Sequence, residues 1–114
     1  MISVQQFVNL NEKKILFYST PFVTGKNGDF PVTLQKNGSD TLYFPAFTSS
    51  AALTAYLNAI GCTEHLIIKG DLKSVLASLD SHPLLCEWGL VVDPQSPLAV
   101  EIPPQIRVQP KCLR

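Results

Sequence analysis

Near the start of the chain, apolar residues recur at the three- and four-residue intervals of one helix face. Ser3 precedes this pattern, and Gln6 follows Ser3 by three residues, which is the spacing of a capping box. The pattern therefore predicts a short N-terminal helix that ends near Asn11.

Three runs rich in β-forming residues come next, at 15–23, 30–35 and 41–46. Asn27-Gly28 separates the first two runs, and Asn37-Gly38 separates the second from the third. Asn-Gly is a strong hairpin signal because both central residues of the tight turn take positive φ. The pattern predicts an antiparallel meander with one buried and one solvated face.

The second half of the chain alternates helical and strand patterns. A helical spacing of apolar residues follows the hydroxyl-rich segment 48–50, and Gly61 is expected to end that helix. The run Leu66-Ile67-Ile68 predicts a short, fully buried strand. Asp71 is expected to begin a second such helix, which closes before Pro83.

Two further strands are predicted at 88–92 and 98–102, joined by a stiff turn with two prolines. Together these elements predict an α+β fold: a mainly antiparallel mixed sheet of about six strands with two or three helices. Residues 1–114 are expected to form one domain with a flexible C-terminal tail from about residue 105.

Composition and charge limit the kinds of partner that this chain is expected to bind. The formal net charge is zero, which removes the long-range field that attracts nucleic acid or an anionic membrane. The sequence has no apolar tract of membrane-spanning length and no signal-peptide pattern at its start, so a cytoplasmic location is expected. Charged residues make up 16% of the chain, against about 25% in typical domains. The extra neutral surface favours an unknown protein or peptide partner, or a homo-oligomer.

Two cysteines and two histidines have the ligand count of a structural zinc site: Cys62, His65, His82 and Cys86. A predicted strand and helix separate the two Cys–His pairs, whereas zinc modules use tight knuckles, so we expect no metal and no cofactor. Cys62 and Cys86 are interpreted as small buried hydrophobic residues. A catalytic Cys86–His82 dyad has the right residue types, but nothing in the turn before the last strands makes the two side chains converge.

Nucleophilic catalysis has hydroxyls available at Thr48 and Ser49. No G-x-S-x-G elbow surrounds them, and a helix cap explains them better. The alternative function is therefore a small hydrolase or transferase that uses one of these hydroxyls. A concave pocket that held one of these hydroxyls within hydrogen-bond reach of His65, His82 or Asp93 would replace the binding-domain prediction with this enzyme.

Three segments carry a resemblance to a known family: LYFPAFTS at 42–49, GLVVDPQSP at 89–97 and VEIP at 100–103. They resemble the N-terminal domain of the SseB-like proteins over about residues 40–104. The resemblance implies a bacterial, cytoplasmic α+β domain, here in a standalone form, and it brings no catalytic residues with it. Asp93 stands where many members of that family are expected to have asparagine.

The sequence thus predicts a non-enzymatic protein-interaction or accessory domain. Its candidate binding surface combines the residues before the second helix with the last turn. The residues assigned to that surface are Phe47, Thr48, Trp88, Asp93, Pro94, Ser96 and Pro97.

Overall fold

The computed structural model of the protein describes residues 3–35, 40–83, 85–94, 96–97 and 99–104. Over these residues the chain forms three helices and nine short strands, which confirms the predicted α+β class. The predicted C-terminal tail from about residue 105 lies outside the described residues.

The helices are those that the sequence predicts: α1 (Val4–Leu10), α2 (Ser50–Ala59) and α3 (Leu72–Ser81). Each begins at a side-chain cap, since Ser3, Ser49 and Asp71 each accept the backbone N–H three residues later. Hydrogen bonds from the hydroxyl and then the backbone N–H of Ser74 lower the pKa of the Asp71 carboxyl. Local capping chemistry therefore sets where all three helices start.

The strands divide among three sheets. In chain order they are β1 (Ile15–Tyr18), β2 (Phe22–Gly25), β3 (Gly28–Pro31), β4 (Leu34–Gln35), β5 (Leu42–Ala46), β6 (Cys62–Glu64), β7 (Ile68–Asp71), β8 (Gly89–Val92) and β9 (Val100–Ile102). The three sheets have the strand orders β1-β7, β3-β2-β6 and β4-β5-β8-β9. Every pairing is antiparallel except β5–β8, which is parallel.

The predicted meander does not form as one sheet, although the second and third runs pair antiparallel through β4 and β5. The run at 15–23 is broken before β2 by Pro21, which has no N–H for a continuous ladder, and its two halves join different sheets. The predicted hairpin between the first two runs is present, but its two-residue loop is Lys26-Asn27. Gly28 has the positive φ, at 103°, whereas Asn27 does not. The second predicted turn, at 37–38, lies outside the described residues.

The prediction of a buried strand at Leu66-Ile67-Ile68 is wrong. Leu66 is 64% exposed and Ile67 is 49% exposed, and both lie in the connection between β6 and β7. Those two strands belong to different sheets, so the connection crosses the surface between them. A short apolar run does not show whether its side chains face the core or the solvent, which is why the sequence pattern fails here.

Buried side chains form two clusters on either side of β1. The α3 core consists of Val8, Leu16, Phe44, Ala46, Leu72, Val75, Leu76, Leu79, Leu85, Leu90, Val92 and Ile102. The α2 core consists of Val23, Val32, Phe47, Leu53, Tyr56, Leu57 and Cys62. Leu16 and Tyr18 of β1 contact the α3 core, whereas Phe17 packs against the α2 core. The alternation of a strand therefore places β1 between the two cores.

The parallel pair β5–β8 lies at the centre of the largest sheet, and all four residues of β8 are buried. Gly89 of β8 stands opposite Tyr43 of β5. A Cβ at this position would lie 2.6 Å from a carbon of the Tyr43 ring and 2.8 Å from the carbonyl oxygen of Ile102. The close approach of β5, β8 and β9 thus requires glycine here.

Replacing Gly89 by alanine is therefore expected to destabilise the protein. The substitution Gly89→Ala should lower the free energy of unfolding by about 1–3 kcal/mol, because the new methyl group overpacks a buried strand. The measurement is urea denaturation followed by circular dichroism. Gly70→Ala is the matched control, since its Cβ would meet only the end of the Tyr18 side chain, at 3.2 Å. Equal losses in the two variants would contradict the packing described for β8.

Candidate functional site

The parallel register of β5 and β8 brings two distant segments to the same sheet edge. Phe44 lies opposite Leu90, and Ala46 lies opposite Val92. The chain therefore leaves both strands side by side, at Phe47 and at Asp93. The backbone N–H of Asp93 donates to the carbonyl oxygen of Ala46 at 2.8 Å, which continues the pairing one residue beyond β8.

Asp93 binds Thr48 through both oxygens of its carboxylate. The backbone N–H of Thr48 donates to Oδ1 at 2.8 Å, and the Thr48 hydroxyl donates to Oδ2 at 2.8 Å. Asp93 has φ of 53°, the single positive value among the non-glycine residues that the structure describes. Aspartate and asparagine tolerate this left-handed conformation better than other side chains do. The turn after β8 thus aims the carboxylate at the start of the segment that leads into α2.

The neighbouring hydroxyl of Ser49 has a different role. It accepts the backbone N–H of Ala52 at 3.1 Å and so caps α2. The two hydroxyls that the sequence singles out are therefore separated in function. Thr48 faces the Asp93 carboxylate, and Ser49 faces the helix backbone.

A groove of about 450 Å³ opens beside the Thr48–Asp93 contact. We call it the Thr48–Asp93 groove. The described residues that line it are Phe47, Thr48, Ala52, Ala55, Tyr56, Ala59, Asp93, Pro94 and Ser96. One wall is the face of α2 that carries the three alanines, and the other is the turn after β8. Asp93 is the single charged residue among these lining residues.

Two aromatic residues connect the groove to the α2 core. The rings of Phe47 and Tyr56 lie 5.4 Å apart at a tilt of 44°. Burial raises the pKa of the Tyr56 hydroxyl above its ordinary value. Phe47 is also held by paired backbone hydrogen bonds with Phe17, at 2.7 and 2.8 Å. The base of the groove is therefore rigidly tied to the core.

The structure brings together most of the surface that the sequence assigns. Of the assigned residues, those that line the groove are Phe47, Thr48, Asp93, Pro94 and Ser96. Trp88 is half-buried and packs against the α3 core, and Pro97 is exposed. Neither Trp88 nor Pro97 is among the described residues that line the groove.

Sequence reasoning missed the alanines of α2. Ala52, Ala55 and Ala59 are exposed and recur at intervals of three and four residues. This spacing places three small side chains on one helix face, which leaves room for the groove. The signal was present in the sequence, as an alanine stripe beside the buried stripe of Leu53, Tyr56 and Leu57.

The four candidate zinc ligands do not assemble. Cys62 Sγ and His65 Nδ1 lie 3.8 Å apart, but no cluster of three or more histidine, cysteine or acidic residues forms within the described part of the chain. Cys86 is buried as predicted, but it takes part in a disulfide, so it is not the free thiol that a zinc ligand or a catalytic dyad with His82 would need. His82 is the C-cap of α3 and is exposed, and His65 lies between two strands and not at a helix end.

Comparisons with protein-family models, curated proteins and solved structures return no match to this chain. The resemblance to the SseB-like proteins therefore stays a prediction. Among the helices that the structure describes, none has the length and apolarity to span a bilayer.

The two hydrogen bonds from Thr48 to Asp93 predict that Asp93→Asn lowers the stability of the protein. Asparagine suits the same left-handed backbone, and its Oδ1 can still accept the Thr48 N–H while its NH₂ group donates to the Thr48 hydroxyl. The contact is then neutral, and because charge-assisted hydrogen bonds are stronger than neutral ones, the free energy of unfolding should fall by about 1 kcal/mol in urea denaturation. Asp40→Asn, the same charge change at an exposed position, is the control. A stability of Asp93→Asn equal to that of the control would mean that the charge of Asp93 does not strengthen its contact with Thr48.

Proposed function

We propose that this protein is a non-enzymatic interaction domain that binds a segment of a partner protein in the Thr48–Asp93 groove. The observation that carries the proposal is the combination of an apolar groove of about 450 Å³ with one rigidly held carboxylate. The segment expected to bind carries an apolar side chain beside a lysine or an arginine.

The carboxylate of Asp93 is the reason to expect a lysine or an arginine in the bound segment. An ionised carboxylate has about four acceptor sites, and Thr48 occupies two of them. The remaining sites can accept an ammonium or guanidinium group, and charge-assisted hydrogen bonds of this kind are stronger than neutral ones. Because no second charged residue lies among the described lining residues, Asp93 sets the local potential.

The exposed alanines of α2 are the reason to expect an apolar side chain in the bound segment. Ala52, Ala55 and Ala59 are exposed small residues, and Phe47 and Tyr56 lie below them. Burial of an apolar side chain on such a surface contributes about 25 cal/mol per Å² of area removed from water. Grooves along one helix face commonly accept apolar anchors in this way.

The setting that we propose is a bacterial cytoplasm, as the resemblance to the SseB-like proteins implies, although the disulfide at Cys86 is of a kind that is rare in that compartment. The low charged fraction, 16%, leaves more neutral surface than typical domains have, which favours association. A second copy of this chain is the competing occupant of the groove, and sedimentation of the purified protein distinguishes it from a different partner.

The enzymatic alternative meets the condition that the sequence sets for it. The Thr48 hydroxyl lies 2.8 Å from the Asp93 carboxylate beside a groove, which is the pocket arrangement expected of a hydrolase or transferase. That condition proves insufficient, and the enzyme ranks second, for two reasons. The base in such a pair is normally oriented by a third group, and no imidazole or lysine lies among the described lining residues. The Thr48 N–H is bonded to Asp93 and is therefore not directed at a reacting oxygen.

The proposed binding site is tested with a substitution that fills the Thr48–Asp93 groove. A random peptide library displayed on phage is selected against the wild-type protein, and a selected peptide is then labelled for fluorescence anisotropy. We expect enrichment of lysine or arginine beside an apolar residue. Ala55→Phe should weaken binding by about tenfold or more, which corresponds to about 1.4 kcal/mol.

The matched control for this experiment is Ala51→Phe, which makes the same change at an exposed position of α2 outside the groove. It should bind the selected peptide as the wild type does. Equal binding by both variants, or selected peptides without basic residues, would count against the proposed site.

The enzymatic alternative is tested with Thr48→Val, which removes the hydroxyl but keeps the shape of the side chain. With a panel of p-nitrophenyl esters and phosphates, we expect no turnover that depends on Thr48. Turnover above the buffer rate that disappears in Thr48→Val and persists in Thr48→Ser would replace the binding proposal with the enzymatic one.

A further inference from the structure

A cavity of about 280 Å³ lies between α3 and the end of β1. We call it the Ser19 cavity. It shares no lining residue with the Thr48–Asp93 groove among the residues that the structure describes. The apolar side chains that line it are Pro21, Phe44, Ile68, Val75, Leu79 and Leu85. Four of these six belong to the α3 core, so the cavity lies against the interior of the domain.

One hydroxyl in this lining has no partner. Ser19 lines the cavity and is 2% exposed, and its Oγ makes no hydrogen bond within the described part of the chain. The adjacent residue differs, because the Thr20 hydroxyl donates to the carbonyl oxygen of Phe22 at 2.8 Å. A buried hydroxyl without a partner costs free energy that a bound hydrogen-bonding group would recover. A serine hydroxyl reorients by rotation about one bond, so Ser19 can turn it toward a molecule in the cavity.

Two aromatic rings lie side by side in the same lining. Tyr18 and Phe44 pack edge to face, with ring centroids 6.0 Å apart and an angle of 75° between the ring planes. Aromatic rings attract further rings in edge-to-face or offset-stacked arrangements. This part of the cavity therefore favours a planar aromatic molecule over a branched aliphatic one.

The charge of the lining indicates a neutral molecule. No acidic residue, lysine or arginine is among the described lining residues, and Tyr18 and His82 are the titratable ones. His82 is exposed, so it lies at the rim. A charged molecule would lose its hydration in an apolar cavity without gaining a counter-charge, which is unfavourable.

The volume limits the size of this molecule. An apolar cavity of about 150 Å³ can hold benzene, so about 280 Å³ has room for about ten non-hydrogen atoms. We propose that the Ser19 cavity is a binding site for a neutral, planar aromatic molecule of about this size that carries one N–H or O–H group. The ring packs against Tyr18 and Phe44, and the N–H or O–H group donates to Ser19 Oγ.

The probes for this site are indole, which has the expected size and one N–H group, and indene, which has nearly the same shape without the N–H. Binding is measured from the shifts of backbone amide resonances when isotope-labelled wild-type protein is titrated with each probe. We expect saturable shifts at Ser19, Phe44 and Leu79. Indene should bind about fivefold more weakly than indole, because it leaves the Ser19 hydroxyl unpaired.

The variant Ser19→Ala tests the hydroxyl itself. It should bind indole about fivefold more weakly than the wild type does, and it should bind indene as the wild type does. Because Ser19 Oγ has no partner among the described residues, the substitution should leave the midpoint of urea denaturation unchanged or raise it. Ser81→Ala, which removes a hydroxyl from an exposed residue of α3 outside the lining, is the matched control and should bind both probes as the wild type does.

Three results would overturn the proposal. The first is a wild-type protein in which millimolar indole gives no saturable shifts around the Ser19 cavity, or shifts only around the Thr48–Asp93 groove. The second is equal affinity of the wild type for indole and indene, which would make the cavity a non-specific apolar cleft. The third is an unchanged affinity of Ser19→Ala for indole. The first two results need no substitution, so the proposal is tested even if the variant fails to fold.

Discussion

The parallel pairing of β5 with β8 is the interaction on which the rest of the structure depends. It joins residues separated by more than forty positions in the chain, since Phe44 lies opposite Leu90. Both strands contribute alternate residues to the α3 core, and β4 and β9 complete the sheet on either side. Parallel strands of this kind are buried on both faces, which agrees with the complete burial of β8. The two-helix crossover between the strands then brings their ends to one edge.

The Thr48–Asp93 groove is a consequence of that edge. A left-handed residue directly after β8 turns its carboxylate back to Thr48, the second residue after β5, and α2 begins two residues later, at Ser50. The same residue thus ends a strand, holds the next segment in place and supplies the charge of the groove. Asparagine, which the family resemblance predicts at position 93, has the backbone preference but only one acceptor oxygen. In this chain each of the two Thr48 donors therefore meets its own carboxylate oxygen.

The local features of the fold could be predicted from the sequence, and the long-range ones could not. Ser3 and Asp71 mark helix starts because capping depends on neighbours three residues away. The division into three sheets depends on which distant strands pair, and alternating apolar residues carry no such information. Leu66 and Ile67 show the same limit, because an apolar run that crosses the surface resembles a buried strand in sequence.

The candidate site could be predicted only in part, because it also combines local features with a long-range contact. Phe47, Thr48 and Asp93 stand at the ends of predicted strands, where turns expose functional side chains. Their mutual contact follows from the parallel register, which no local pattern indicates. The parallel pairing of β5 with β8 is tested most directly by nuclear Overhauser contacts between these two strands in isotope-labelled protein. The structure predicts contacts in parallel register from Tyr43–Gly89 to Ala46–Val92, with slow exchange of the Asp93 amide. Antiparallel contacts, or none between these strands, would contradict it.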